Sequence, residues 1–352
     1  MSREPTVSDA ARQQPLTIAE IAELTGVSIP TVSKVVNGRS EVAPATRALI
    51  ENAIQQHGYR RRRRQPAPAA LLELVFHELA GPYPLELING VEQVARAHRL
   101  GVVLSQLEGR HTPGRGWIEE VLSRRPTGVI AVFSGPDVNQ RQMLRSRQIP
   151  LVLVDPTGEV GHSVPSVGAG NWNGGLAATR HLIELGHRRI AIITGPPDVL
   201  SSRARLDGYR TALDTAGLPV DPALIRVGDF QIEDGRHHTR ELLRLADPPT
   251  AIFACNDGEA IGVYQAAAEV GRRIPEDLSV VGFDDLPPAQ WMIPPLTTVR
   301  QPLKEMAVAA ATMVVELARN RPLETDRLEL ATTLVVRGST APPGAPNGRP
   351  AR

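Results

Sequence analysis

Seven short apolar, β-rich runs recur through residues 71–337: LLELVF from 71, GVVLSQ from 101, GVIAVF from 128, LVLVD from 151, RIAIIT from 189, TAIFAC from 250 and LSVVGF from 278. Helix-length amphipathic segments lie between most of them. That alternation predicts parallel strands buried on both faces and joined by crossover helices. Further short pieces around Val164, Leu224 and Leu334 raise the strand count beyond one comfortable sheet at this length, so two similar α/β lobes are expected. In open parallel sheets ligands bind beyond the carboxyl ends of the strands. Asp155 ends LVLVD, Asn256 and Asp257 follow TAIFAC, and Asp284 and Asp285 follow LSVVGF. Each of these residues alone is equally a helix cap or a turn former. Their repeated position at strand ends is what makes them candidates for a binding site.

The N-terminal part follows a different rule. In TIAEIAELTGVSIPTVSKVVNG, from Thr17, the Thr17 and Glu20 spacing reads as a capping box that opens a helix with Ile18, Ile21 and Ala22 inside. Gly26 supplies the left-handed stop. Ser28 then caps a second helix, in which Pro30 is tolerated because first-turn N–H groups lack intrahelical partners. Val32, Val35 and Val36 form its inner stripe, leaving Ile29, Pro30, Ser33, Lys34 and Asn37 with no core to face. Two small helices of any all-α domain would share this spacing. A third helix, expected from about Pro44 to His57 with Ala48, Leu49, Ala53 and Ile54 inward, completes a three-helix unit of helix-turn-helix type. In such a unit the second helix presents its N-terminal side chains to base edges in a major groove.

Charge and composition narrow the choice. The 352 residues are 41% hydrophobic and 22% charged with a formal net charge of +1, ordinary for a soluble chain of two to three domains. The balance hides a basic run, Arg60, Arg61, Arg62, Arg63 and Arg64, which follows the helical unit and suits phosphate or narrow minor-groove contact. A single cysteine, Cys255, excludes a disulfide framework and a cysteine-rich zinc site. MSREPTVSDAARQQP lacks the apolar stretch of a signal peptide, and no run of membrane-spanning length follows, so a cytoplasmic protein without membrane contact is expected. His237 and His238 are adjacent, pointing about 100° apart on a helix, and are not expected to form a metal pair. With no phosphate loop, nucleophile elbow or HExxH motif, neither an enzyme nor a cofactor is expected.

The run LTIAEIAELTGVSIPTVSKVVNGRSEVAPATRALIENAIQQHGY resembles the N-terminal domain of the lactose/galactose repressor family of bacterial transcription regulators. GGLAATRHLIELGHRRIAIITGP, SRARLDGYRTAL, NDGEAIGVYQAAAEVG, IPEDLSVVGFDDLP and PPLTTVRQP resemble the family's effector-binding core, a two-lobed fold like that of periplasmic binding proteins. The resemblance implies a homodimer on a near-palindromic double-stranded operator, controlled by a small molecule, often a sugar, between the lobes. It implies three chain crossings between lobes, near residues 165, 293 and 325. Arg205 matches the position that hydrogen-bonds the effector, and Tyr83 and Phe230 fall where the family has aromatic rings. Asp155, Trp172, Asn256, Asp284 and Gln301 complete the expected effector site. On DNA, Ile29, Pro30 and Lys34 are expected to read bases, and Thr17, Ser28, Thr31, Ser33 and Asn37 to hold phosphates. Family members often carry a hinge helix with a minor-groove Leu, whereas here the segment reads RRRRRQPAPAA, with Pro68 at the wedge position.

The expected organisation is therefore an extension over 1–15 and a helix-turn-helix domain over 16–60. A basic Pro-rich linker over 61–70, a two-lobed effector and dimerisation domain over 71–337, and a tail without fixed structure over 338–352 follow. The expected function is a sugar-responsive repressor. A regulator answering to a purine or a phosphorylated metabolite shares the fold, and a solute-binding transport protein shares only the two lobes.

Overall fold

The computed structural model describes residues 17–36, 41–56, 68–107, 112–133, 135–156 and 164–344. Asn37, Arg60 to Arg64 and residues 1–15 lie outside the described residues. The chain divides into two units, residues 1–67 and 68–352.

In the first unit, α1 (Ile18–Thr25), α2 (Ile29–Val36) and α3 (Pro44–Gln56) enclose Ile21, Ala22, Val32, Val35, Val42 and Ile50. The reciprocal Thr17 and Glu20 cap is formed, and Gly26, at φ 64°, ends α1 with its N–H on the carbonyls of Ala22 and Glu23. The phase of α3 differs from expectation. Ile50 is the buried residue, with Ala53 and Ile54 beside it, while Ala48 and Leu49 face outward. One residue of rotation on a 3.6-residue helix accounts for the difference.

The second unit runs β1 (Ala69–Phe76), α4 (Tyr83–Ala97), β2 (Gly101–Gln106), α5 (Arg115–Arg124), β3 (Pro126–Val132), α6 (Val138–Ser146), β4 (Leu151–Val154) and β5 (Ser166–Ala169). It continues with α7 (Asn171–Glu184), β6 (Ile190–Thr194), α8 (Leu200–Thr215), β7 (Ile225–Val227), α9 (Ile232–Leu243), β8 (Ala251–Ala254), α10 (Asp257–Glu269) and β9 (Ser279–Asp284). Last come α11 (Pro287–Trp291), β10 (Thr297–Arg300), α12 (Leu303–Ala318), β11 (Arg327–Leu330) and β12 (Thr333–Val335). One six-stranded sheet is ordered β2-β1-β3-β4-β5-β11 and is parallel throughout. The other, β7-β6-β8-β9-β10-β12, is parallel except for β12. In each sheet the strand order reverses beside the first-formed strand, at β1/β3 and β6/β8, and such a reversal opens a crevice at the carboxyl ends.

Helices cover both faces of each sheet, which is why the strands read as continuous apolar runs. Leu72, Leu74 and Val152 pack with Val91 of α4 and with Met306 and Val314 of α12, and Val75 and Val129 pack with Trp117, Ile118 and Leu144 on the other face. In the second lobe, Ile193 and Ile252 meet Leu242 and Val263, and Ile192 and Phe253 meet Leu182 and Tyr209. Glu73, inside β1, is fully buried and takes the Arg124 guanidinium at 2.7 and 3.1 Å. Among the described residues no helix is long and apolar enough to cross a membrane.

Several boundaries differ from the expected ones. Ala69 and Ala70 belong to β1 rather than to the linker, because the Ala69 N–H donates to the Arg125 carbonyl at 2.8 Å. The chain passes between lobes at Gly170, Gln301–Pro302 and Ala331–Thr332, not at 165, 293 and 325. The short strands β10 and β11 cause the two later shifts, each extending its sheet before the chain leaves it. Residues 338–341 are part of the second lobe, not of an unstructured tail. The Ser339 carbonyl accepts from Val280 N–H, Ser339 Oγ accepts from Thr297 N–H at 2.7 Å, and His187 Nε2 donates to the Ala341 carbonyl at 2.9 Å.

Glycines set how closely helices pair in the second lobe. A Cβ on Gly262 of α10 would overlap the Ile232 carbonyl and the Arg236 amide of α9, and one on Gly235 of α9 would overlap the Glu259 carbonyl of α10. Gly175 and Gly208 play the same part between α7 and α8. Gly262→Ala gains up to ~1 kcal/mol of helix propensity but must push α9 off α10. A net loss of about 1 to 3 kcal/mol is expected, read as a lowered thermal midpoint of the core unit. An unchanged midpoint would show that the helix pair tolerates the extra methyl group.

Candidate functional sites

The first unit presents one polar helix surface. Ile29, at the start of α2, is 53% exposed, and Pro30 and Lys34 lie on the outer side with it. Lys34 Nζ sits 3.2 Å from Glu41, an exposed ion pair of little strength, so this ammonium exchanges partners readily. Ser28 and Thr31 share a hydrogen bond between hydroxyls at 2.9 Å, and the Ser28 carbonyl accepts the Val32 N–H that starts α2. The Thr17 hydroxyl donates to Glu20 at 2.7 Å and completes the cap of α1. Thr31 and Ser33 are half-buried at the flank. Pro68 is exposed ahead of β1.

In the second unit a cavity of about 280 Å³ opens where the carboxyl ends of both sheets face each other. Arg205, on α8, lies at its floor with only 2% exposure. Its Nε donates to Asn171 Oδ1 at 2.9 Å, and its Nη1 donates to the Cys255 carbonyl. The guanidinium lies 3.8 Å from the centre of the Phe283 ring and 5.8 Å from that of Phe230. Asp284 Oδ1 is 3.9 Å from Nη1. Nη2 is buried and has no hydrogen-bond partner among the described residues. A buried guanidinium N–H without an acceptor is costly, and a ligand oxygen would relieve it.

Carboxylates outnumber that one cation. Asp284 accepts from Gln301 Nε2 at 2.6 Å, and burial pushes its carboxyl up to about 7 despite Arg205 and Gln301. Asp155 accepts from the Tyr83 hydroxyl at 3.1 Å, and burial raises it too. The phenol of Tyr83 is raised by burial first and by the nearby Asp155 and Asp284 charges next. Rings line the opposite wall. Tyr83 lies 5.3 Å from Phe133, and Phe133, from the first lobe, lies 6.4 Å from Phe230 of the second. Gly195 makes room for the Phe230 ring, since a Cβ there would overlap it. Of nine non-glycine residues with positive φ among those described, five are Phe133, Asp155, Phe230, Asp284 and Asp285. Backbone strain is thus concentrated around this cavity.

Arg205, Asp284, Tyr83, Phe230 and Asn256 all line the cavity. Asn256 is more structural than expected: its Oδ1 caps α10 through Glu259 N–H at 2.6 Å, and its Nδ2 holds the Phe230 carbonyl at 2.9 Å. Asp155 stands behind Tyr83, and Gln301 stands behind Asp284, so both position lining residues. Trp172 is a correction. It is 41% exposed on α7 and does not line the cavity, because its neighbour Asn171 takes the inward direction and Gly175 faces α8. The sequence reading passed over Phe133, although it ends GVIAVF and the strand-end rule that selected Asp155 applies equally to it. Asn171 gave no signal that separated it from Trp172.

Residues 17–62 match the description "Bacterial regulatory proteins, lacI family", and residues 179–340 match "Periplasmic binding protein-like domain". The ribose operon repressor of Escherichia coli (strain K12) is 33% identical over 335 residues, covering 92% of this chain and 99% of that protein. The chain belongs to the lacI family of bacterial regulatory proteins. The transcriptional regulator CelR of Thermobifida fusca is 35% identical over 346 residues, covering 93% of this chain and 99% of the relative. A solved CelR–cellobiose complex superposes with a TM-score of 0.71 at 35% identity, over 92% of this chain and 99% of that one. A Lac repressor dimer bound to operator and an anti-inducer gives 0.67 at 28% identity, over 93% and 100%. These lacI-family relatives are transcriptional regulators and not enzymes.

The raised acid of this lacI-family core has a thermodynamic consequence. Asp284 titrates at its ordinary 3.8 when unfolded and at about 7 when folded. Between those values the folded state holds a proton that the unfolded state has lost, so the contribution of Asp284 to stability falls as pH rises from about 4 to about 7 and levels off above, while His181 and His187, lowered by burial, act in the opposite direction. Asp155, Asp257 and Glu259 are raised by burial as well and act in the same direction as Asp284. Asp284→Asn is expected to flatten the decline, measured as thermal midpoint against pH. A profile as steep as that of the parent would remove Asp284 from the titration.

Proposed function

We propose that the protein is a cytoplasmic, homodimeric transcriptional repressor that binds a near-palindromic operator and changes its DNA affinity when a neutral sugar occupies the cavity between its lobes. The observation that carries this reading is Arg205 Nη2, buried and unpartnered, set among carboxylates and rings contributed by both lobes. One guanidinium facing several carboxylates disfavours an anionic ligand. Hydroxyls that accept from Arg205 and donate to Asp284 fit both groups, and the C–H face of a pyranose or furanose fits the Phe230 and Phe133 rings. Cellobiose in the CelR complex and ribose in a bound lacI-family structure from Enterococcus faecium support that ligand class. The Lac repressor dimer on its operator supports the dimer and the DNA partner.

On DNA, Lys34 donates to guanine and Ile29 or Pro30 meets a thymine methyl, while Thr17, Ser28, Thr31 and Ser33 hold phosphates with Asn37 and the Arg60 to Arg64 run. A sugar touching both lobes favours one lobe arrangement over the other. Only that difference in affinity can act on operator binding. A coupling of about 1 to 3 kcal/mol changes operator affinity by roughly 5- to 150-fold.

Two measurements test the reading. Lys34→Ala is expected to weaken the cognate operator by about 1 to 3 kcal/mol and to relax preference at one base pair, measured over a panel of operator variants. An equal loss on every sequence would assign Lys34 to the phosphates. Arg205→Lys keeps the charge and loses the fork, so operator binding should persist while the response to sugar is lost, read by operator titration with and without ribose or cellobiose. A thermal melt of this variant establishes that the core remains folded. A full response would take Arg205 out of the site.

A further inference from the structure

On the second lobe, away from the cavity, α9 carries two adjacent histidines and a glutamate one turn later. Nitrogens of His237 and His238 and a carboxylate oxygen of Glu241 all lie within 4.8 Å of one another. His237 Nε2 is 3.4 Å from Glu241 Oε1, and His238 Nδ1 is 3.4 Å from Glu241 Oε2. Adjacent residues on a helix diverge, as expected, but Glu241 stands at i+4 from one and i+3 from the other, and both rings turn toward it. The two rings meet edge to face with centres 5.2 Å apart.

Hydrogen-bond chemistry makes the cluster more than a proximity. His238 Nε2 is 2.9 Å from the Val227 carbonyl, which can only accept, so Nε2 carries a proton. In the neutral ring Nδ1 is then a bare lone pair, and it faces a carboxylate that also only accepts. Two acceptors that face each other in this way leave a place that a cation can bridge. A carbonyl on the far nitrogen of a ligating imidazole is the usual outer partner that fixes tautomer and ring orientation. The other acids of the neighbourhood are engaged elsewhere: Glu269 takes Arg240 and Arg236, and Glu233 takes Arg236. Arg226 Nε lies 3.4 Å from Glu241 and is the competing cation, although its Nη1 is also held by the Ala223 and Ile225 carbonyls.

We propose that His237 Nε2, His238 Nδ1 and Glu241 form a surface site for a late first-row divalent cation, of which zinc is the type. Two imidazoles and one carboxylate suit zinc in a four-coordinate site completed by water, whereas magnesium and calcium prefer all-oxygen shells. Both His–Glu241 separations, 3.4 Å, already match the spacing of roughly 3.4 Å between ligands of a tetrahedral ion at about 2.1 Å, and side-chain rotation on an exposed helix face allows the two imidazole nitrogens to approach each other. The cation would fasten α9 to the end of β7 through His238 and Val227. Three residues beyond Val227 stands Phe230, on the wall of the cavity.

The test is calorimetric titration of zinc chloride into the full chain, untagged and previously freed of metal by chelation, beside His237→Gln, Glu241→Gln and Arg226→Gln. His237 is 61% exposed at its side chain and takes no part in the core, so its variant reports on the ligand alone. The expected result is one zinc ion per chain, bound about 10-fold or more weakly in the His237 and Glu241 variants, and more tightly when Arg226 is neutralised. Magnesium should give no heat of binding. Zinc binding unchanged in both ligand variants would place the metal elsewhere, and absence of binding to the parent chain would show that the three side chains hold no metal. Either result overturns the site.

Discussion

The buried guanidinium of Arg205 organises the core unit. It is stacked on Phe283, bonded to a side chain at one lobe crossing and to a strand-end carbonyl, and set among acids that would otherwise repel one another. A charge so deep is tolerated only when paired and hydrogen-bonded. Four of the features around it, the raised Asp284, the Gln301 contact, the positive φ at Phe230 and the bare Gly195, follow from building a polar floor and an aromatic wall around one cation. Among the described residues the arrangement lacks one acceptor, at Nη2, which a ligand oxygen would supply.

The same residues connect the cavity to the segments that join the lobes. Asn171, which holds Arg205, is the first residue of α7, just past the Gly170 crossing, and its Nδ2 donates to the Ala169 carbonyl of the first sheet at 3.0 Å. Gln301, which holds Asp284, stands at the second crossing. The third crossing is tied to the first, since Thr332 Oγ1 donates to the Gly170 carbonyl at 3.1 Å and the Gly170 N–H donates to Leu330 at 2.8 Å. Both charged groups that would grip a ligand therefore lean on a crossover. A ligand that reoriented either one would act on a crossover through contacts no more than one side chain long, which is how the proposed binding would reach the lobe arrangement. Across the mouth, Phe133 against Phe230 and Gln231 Nε2 near Glu78 at 3.5 Å hold the lobes in their present arrangement.

Much of this was legible in the sequence because the decisive patterns are local. Apolar runs mark seven of the strands, and Thr17, Glu20 and Gly26 mark the ends of α1, since caps and periodicity depend on near neighbours. The strands β10 and β11 were hidden. Their sequences, TTVR and RLEL, hold no continuous apolar run and are flanked by Pro302 or by charged residues. Asp284 and Arg205 were marked by strand-end position and family resemblance, and both line the cavity. Trp172 points away where Asn171 points inward because helix phase near a cap is set by what the helix packs against, here Gly175 of α7 against Arg205 of α8. Asn256 was placed at the site but is consumed by its cap and by the Phe230 carbonyl, a double engagement that only the fold creates.

A cavity with Arg205 among several acids suits a neutral polyhydroxy ligand. Thermal unfolding of the full chain in the presence of neutral mono- and disaccharides, their phosphate esters and inorganic phosphate tests it most directly, because a ligand of the native state raises the midpoint in proportion to its saturation. The account predicts that a neutral sugar raises the midpoint and that its phosphate ester does so less or not at all. Stabilisation by the phosphate ester or by phosphate itself, where the neutral sugar has no effect, would contradict it.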